Sequence, residues 1–303
     1  MPNISIITTT YQHADFIAQT IESVLGQTYS DWEMLIGDDS PDDATWDVIQ
    51  WYVDKYPTKI KARHHSPNKG IVDNMNFLIQ QCDSQSDFIS FLEGDDRYTA
   101  DNLMEKIKIF EKYPEVQLVY SDFQVIDETG KQIDHFLQQS RIDQYFNKYH
   151  FAINPNNIFS WSNGMIRKDI STKYSIKNIT NSPTYSVSDR DFYQHIISHE
   201  KIHHIPKKLL EYRKHKNNIS FQNNAIGKDI HHLTGYYFST HYRTSGMLLL
   251  YAMKNWRKIQ PIRFIKVILT YMLGAKYVCK LFDISTSCLT FLSSPLHTNT
   301  QTS

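Results

Sequence analysis

The sequence predicts an α/β fold: a mostly parallel sheet flanked by helices, followed by a C-terminal helical extension. Three observations carry this. Short β-rich runs alternate with amphipathic helical stretches as far as residue 120; polar and acidic loops follow those runs; and from Asn217 onward the pattern turns mainly helical, with a break at Pro261.

The β-rich runs are Ile4 to Thr8, Glu33 to Ile36, Lys59 to Arg63, Phe88 to Leu92 and Leu118 to Tyr120. Between the first two, Ile17, Ile21, Val24 and Leu25 recur at helical spacing and place one apolar face against a sheet. Strands separated by single helices are parallel βαβ crossovers, and such open sheets bind ligands at the carboxyl ends of their strands. The loops there are Thr9-Thr10-Tyr11, the run from Gly37 to Asp43, Ser66 to Gly70, and Glu93-Gly94-Asp95-Asp96. Beyond residue 122 the alternation fails. Ile126 to Lys131 reads as a hairpin turn, and Asp134 to Asn157 as a long polar, aromatic loop, either a substrate loop or a surface insertion.

The 303 residues are 41% apolar, enough for one large core or two modest ones. With 32 Lys and Arg against 32 Asp and Glu, the chain lacks the cationic excess of a general nucleic-acid binder. Three cysteines without a CxxC pair make neither a disulfide framework nor a zinc site, and the N-terminus reads as a strand rather than a signal peptide, so a cytoplasmic setting is expected. No run reaches the roughly 18 apolar residues of a spanning helix. The charge is nonetheless polarised. Residues 230–303 hold eight basic residues and one acidic, a net +7 that leaves −7 on residues 1–229. Lys254 to Lys258 and then Ile262 to Phe282 suit a helix lying on an anionic membrane surface, or a helical cap on the preceding domain, and Ser285 to Ser303 reads as frayed.

Two acidic clusters, Gly37-Asp38-Asp39 and Glu93-Gly94-Asp95-Asp96, each follow an apolar strand. Carboxylates gathered at one sheet edge repel unless a cation or hydrogen-bond donors compensate. Mg²⁺ or Mn²⁺ does so while also holding phosphate oxygens. The alternative is that these aspartates only cap the following helices.

The order TTTYQ, SVLGQTYSDWEMLIGDDSPDD, NKGIVDN and FLEGDDRY closely resembles the family 2 nucleotide-diphospho-sugar glycosyltransferases, which have the Rossmann-like GT-A fold. The resemblance covers roughly residues 3–221. It implies a catalytic domain over residues 1–221, with nucleotide-sugar binding in 1–122 and the acceptor and base region in 123–221, and an extension over 222–303. It implies that Asp39 contacts the base with Asp38 nearby, that Thr9 and Tyr11 line the same pocket, and that Glu93-Gly94-Asp95 stands for the DxD motif. Glu93 would then face the ribose, Asp95 would ligate the metal, and Asp96 would orient the donor sugar.

The same resemblance places the catalytic base at Asp189, with Asp191 also in contention because Ser188 and Arg190 flank Asp189 where the family commonly has other residues. Glu211 to Ser220 resembles the family's YRxHxxxxS segment, which implies that His215 approaches the metal and allows Arg213 to neutralise phosphate. The other thirteen histidines read as ordinary surface or core residues. Asn68-Lys69-Gly70 precedes a helix, where a backbone amide or Lys69 can meet an anion, although Asn and Gly also make plain turns. Two features depart from the family pattern: Asp73 stands before Asn74 where relatives often have Arg or a small residue, and the first acidic loop is one residue shorter. Trp161 would stack on an acceptor sugar, or pack in the core.

The expectation is therefore an inverting, metal-dependent transferase that moves a sugar, from UDP by preference, to a glycan or lipid-linked glycan acceptor in cell-envelope polysaccharide assembly, at the cytoplasmic face of the membrane. The alternatives are a degenerate nucleotide-sugar-binding or scaffold protein, and a sugar nucleotidyltransferase. The latter usually carries a Gly-rich basic loop after the first strand, which TTTYQHAD is not.

Overall fold

The computed structural model describes residues 3–133, 160–177 and 188–218, all within one compact unit. In chain order the elements are β1 (Asn3–Thr10), α1 (Ile17–Leu25), β2 (Trp32–Asp38), α2 (Ala44–Lys55), β3 (Ile60–His64), α3 (Ile71–Gln80) and β4 (Ser86–Phe91). There follow β5 (Arg97–Tyr98), α4 (Asn102–Lys112), β6 (Val116–Ile126), β7 (Gly164–Arg167), α5 (Lys168–Lys173), α6 (Ser188–His199) and β8 (Lys201–Arg213).

One eight-stranded sheet runs in the order β3-β2-β1-β4-β7-β6-β8-β5. The β3-β2-β1-β4 half is wholly parallel. Strand β7 lies antiparallel between β4 and β6, and β6 pairs parallel to β8. The central strands are apolar on both faces because helices cover both. Ile4, Ile6, Met34 and Ile36 pack with Ile17, Ile21 and Val24 of α1 and Ile49 of α2. Ile7, Leu35 and Ile89 point the opposite way, toward Met75 and Leu78 of α3 and Phe192 and Ile196 of α6. The chain leaves β1 for β2 on one side and returns through α3 to β4 on the other, so the strand order reverses at β1. That is the switch point where open α/β sheets leave a crevice.

The turn expected after Ile126 is present, closed by Gly130 N donating to the Asp127 carbonyl and by an Ile126–Gln132 bridge. Two strands differ from expectation. β6 runs on to Ile126 rather than ending at Tyr120, because the polar Ser121-Asp122 pair that interrupts its apolar pattern sits at a register shift against β8. β8 was not legible as a strand, since KIHHIPKKLLEYR contains Pro206. The pairing steps from Ser121–Ile205 to Asp122–Lys208, and the resulting bulge accommodates the proline, which cannot donate to a ladder. On α4, Lys106 is fully buried, with its ammonium nitrogen 5.3 Å from the Tyr98 ring centroid and no hydrogen-bond partner among the described residues.

Among the described residues no helix is long and apolar enough to cross a membrane. The loop of residues 134–157, the boundary at residue 221 and the basic extension lie outside the described residues.

Candidate active site

Strand β1 ends between the two acidic loops and ties both to itself. The Asp39 amide donates to the Thr10 carbonyl at 3.0 Å, and the Gly94 amide donates to the Thr9 carbonyl at 3.0 Å. The loops after β2 and β4 therefore open onto one crevice.

In the first loop Asp38 is fully buried. Its Oδ1 accepts from the Ser40 amide (3.0 Å) and hydroxyl (2.6 Å), while Oδ2 finds no hydrogen-bond partner among the described residues and lies 3.8 Å from His64 Nε2. Burial pushes its carboxyl up and the Ser40 bonds partly offset that. Asp39 is held by the loop before α3. Its Oδ1 accepts from the Lys69 amide at 3.1 Å, its carbonyl accepts from Asn68 Nδ2 at 3.1 Å, and the Asn68 side chain accepts from the Gly70 amide at 2.6 Å. The Lys69 amide, one of the groups expected to meet an anion, is bonded within the protein to Asp39. Gly70 holds φ at 78°, a conformation that favours glycine. Thr9 is buried and Tyr11 is 47% exposed at the mouth of the same loop.

The second loop carries three carboxylates, Glu93, Asp95 and Asp96, in one cluster. Asp95 Oδ2 accepts from Asn218 Nδ2 at 3.1 Å and lies 2.9 Å from His215 Nε2. Burial alone would raise its carboxyl, but His13 and the His215 hydrogen bond outweigh it and hold it below the ordinary range. Glu93 and Asp96 are driven the other way, well above the usual carboxylate range, by burial first and then by the charge of Asp95. Asp189, in the first turn of α6, adds to the upward pressure on Glu93, which places its charge within reach of the cluster. Ser160 Oγ donates to Glu93 Oε2 at 3.4 Å. Asp191 is buried on the same helix, with Oδ1 3.5 Å from His195 Nδ1.

Three residues given site roles have buried side chains whose contacts are made within the protein. Arg213 has no exposed surface. Its Nε donates to the Asp95 carbonyl (2.7 Å), its terminal nitrogens donate to the Glu128 carbonyl (3.1 Å) and Gln19 Oε1 (2.9 Å), and its guanidinium covers the Phe16 ring. It braces the Glu93-to-Asp96 loop, and its donors are engaged within the protein. Asp96, expected to orient the donor sugar, also has no exposed surface. Its two oxygens accept from the Arg213 amide (2.8 Å) and the Ser162 hydroxyl (2.5 Å), so it locks β8 and the Ser160-to-Asn163 turn to the loop. Trp161 is buried among Phe91, Phe192 and Tyr193, with ring centroids 5.2–5.7 Å away, so it packs in the core and offers no face to a sugar.

One residue read from the sequence as ordinary is not. His13, two positions beyond Tyr11, brings its ring to 5.6 Å from that of His215, edge to face. One ligand atom each from His13, Asp95 and His215 lie within 4.8 Å of one another. The His13 Nδ1 is buried without a hydrogen-bond partner among the described residues. Gly94 leaves it room, since a Cβ there would stand 2.5 Å from Thr10 Oγ1 and 3.1 Å from that Nδ1. An orphaned imidazole nitrogen beside a carboxylate and a second imidazole is a donor set that fits a divalent cation. Ser162 and Asn218, which position Asp96 and Asp95, were likewise not singled out. Asn218 lies three residues past His215 and accepts from its amide, a spacing that was available in the sequence but unremarkable without Asp95 beside it.

A doubly wound sheet whose switch-point strand gathers carboxylates and imidazoles from separate loops defines a GT-A type of α/β protein. The chain belongs to glycosyl transferase family 2, whose family model matches residues 5–175, more than half of the sequence. It is 29% identical over 136 residues to "Putative teichuronic acid biosynthesis glycosyltransferase TuaG" of Bacillus subtilis, covering 45% of this chain and 52% of that one. It is 32% identical over 125 residues to the Escherichia coli UDP-Glc:alpha-D-GlcNAc-diphosphoundecaprenol beta-1,3-glucosyltransferase WfaP, covering 41% and 47%. The chain spans about half the length of the curated relatives it matches. Among solved structures it is similar to S. aureus TarS 1–349 in complex with UDP-GlcNAc, with a TM-score of 0.61 at 15% identity over 97% of this chain and 76% of that one. It is also similar to the Pyrobaculum calidifontis mannosyltransferase PcManGT in complex with GDP-Man and Mn²⁺, with a TM-score of 0.53 at 11% identity over the same shares.

Proposed function

We propose that the protein is an inverting glycosyltransferase that moves a sugar from a UDP-sugar to a hydroxyl of a glycan or lipid-linked glycan during cell-envelope polysaccharide assembly. The observation that carries this is the convergence of both acidic loops on the end of β1, with Asp95 flanked by two imidazoles. Relatives supply the setting: WfaP is named for a UDP-Glc donor and a diphosphoundecaprenol-linked acceptor, TuaG for teichuronic acid synthesis, and TarS was solved with UDP-GlcNAc.

In this reading Tyr11, Thr9 and Asp39 receive the base, with Asn68 and Gly70 fixing Asp39, and Glu93 faces the ribose. Asp95 and His215 hold a divalent cation, Mn²⁺ or Mg²⁺, which when bound supplies positive charge opposite the departing diphosphate. Asp189 accepts the proton of the acceptor hydroxyl as that oxygen attacks the anomeric carbon. One displacement with one base requires no protein nucleophile and inverts the anomeric centre. The enzyme works on the cytoplasmic face of the membrane, its basic extension resting on anionic lipid.

The test is nucleoside-diphosphate release from a panel of nucleotide sugars, with and without Mn²⁺. Metal-dependent release from a UDP-sugar, lost at least 100-fold in Asp95→Ala, is expected from the charge the cation carries in the transition state. Undiminished transfer by that variant would refute the metal assignment.

A further inference from the structure

We infer that His13 is a third protein ligand of the cation, so that the site offers two imidazole nitrogens and one carboxylate and prefers Mn²⁺ and related transition ions to Mg²⁺. The inference rests on the proposed cation site at Asp95 and His215, and adds a residue from a different loop together with a selectivity.

Four observations support it. The ligand atoms of His13, Asp95 and His215 lie within 4.8 Å of one another, near enough for a single ion to replace the contacts between them. His13 Nδ1 is buried with no hydrogen-bond partner among the described residues, and such a group is costly to leave unsatisfied unless a ligand meets it. The backbone around His13 is fixed. Its carbonyl accepts from the Phe16 and Ile17 amides at 2.9 Å, opening α1, and the preceding Gln12 holds φ at 56° while its amide donates to Ser40 Oγ at 2.8 Å. A non-glycine residue there pays a strain that persists only where the surroundings impose it, so the turn that carries His13 is held in one conformation. Finally, Gly94 is the residue whose missing side chain lets the ring approach.

The selectivity follows from the donor atoms. Mg²⁺ prefers oxygen and sheds water reluctantly, whereas first-row transition ions accept imidazole nitrogen, least strongly at Mn²⁺ and more strongly toward Co²⁺ and Zn²⁺. With three protein ligands an ion still has positions open for diphosphate oxygens. The nitrogen also comes from the loop that carries Tyr11, so the same turn reaches both the base pocket and the cation.

The test is direct Mn²⁺ binding to the full chain without donor, followed by electron paramagnetic resonance with pulsed detection of ¹⁴N couplings, and by competition with Mg²⁺. Wild type is expected to show two histidine nitrogens. His13→Ala is expected to show one, with affinity for Mn²⁺ lowered about tenfold or more, the scale on which ligand-shell changes act. His13→Gln, which replaces nitrogen with an oxygen donor at similar size, is expected to bind Mn²⁺ with one nitrogen coupling and to lose discrimination against Mg²⁺. One nitrogen in wild type with unchanged affinity in both variants overturns the His13 assignment and leaves the Asp95 and His215 site standing. Absence of Mn²⁺ binding by wild type overturns the cation site itself.

Discussion

At the scale of the residue, the structure gives different surroundings to the two carboxylates in contention for the base, Asp189, which the resemblance favours, and Asp191. Asp189 is half-buried and bears on Glu93, whereas Asp191 is 3% exposed and turns to His195. Asp189→Asn is expected to cut transfer by about 100-fold or more, the usual weight of a positioned base, while UDP binding measured by calorimetry persists. Asp191→Asn is expected to lower the unfolding temperature and leave most of the activity. The reverse pattern would move the base to Asp191. Lys106 makes a second prediction, about pH. Burial pushes its ammonium down from 10.5 to about 7. Between pH 10.5 and 7 the unfolded chain binds a proton that the folded chain does not, so this residue makes stability rise with pH across that window and leaves it level below. Lys106→Met keeps the volume, removes the slope, and should stabilise the protein at pH 7 by on the order of 2 kcal/mol. Denaturant midpoints at pH 7 and pH 9.5 check this; an unaltered difference between them would mean that Lys106 is charged in the fold.

At the scale of the element, strand β1 and the loop after β4 act as one piece. Gly94 closes against Thr10, and an added Cβ would meet Thr10 Cβ at 2.6 Å. Gly94→Ala must displace the loop from the strand end, at a cost of about 1–3 kcal/mol for overpacking. It should also weaken Mn²⁺ binding, because Asp95 moves with the loop; calorimetric titration decides, and unchanged affinity would show that the loop relaxes without moving the carboxylate. The strands β1 to β4 were legible because each carries a short β-rich run, continuous in β1 and β2 and alternating in β3, and because helical stretches separate them. β8 was not, because Pro206 and the lysines beside it argue against a strand until β6 is seen to shift its register around them. Tertiary pairing there overrides local preference.

At the scale of the whole molecule, residues 1–229 carry −7 and residues 230–303 carry +7. A net charge of +7 on the extension is what the proposed attraction to an anionic lipid surface requires. Flotation with vesicles containing anionic lipid should carry the full chain and release a chain truncated after residue 253, with the difference shrinking at high salt. Equal partitioning of the two removes the membrane role.

By itself the sequence determined the class of fold, the strand-to-loop order as far as residue 120 and both acidic clusters, because each is written in local pattern, while the approach of His215 to Asp95 was implied only by the family resemblance. Only the tertiary structure decided what the side chains do once assembled. It turned Arg213, Asp96 and Trp161 inward as braces and core, and it lifted His13 out of thirteen ordinary histidines by setting it beside Asp95, which follows it by more than eighty residues in the chain. The physical reason is that a motif fixes which groups are available, while burial and hydrogen-bond partners, contributed by elements distant in sequence, fix which of them remain free to meet a ligand.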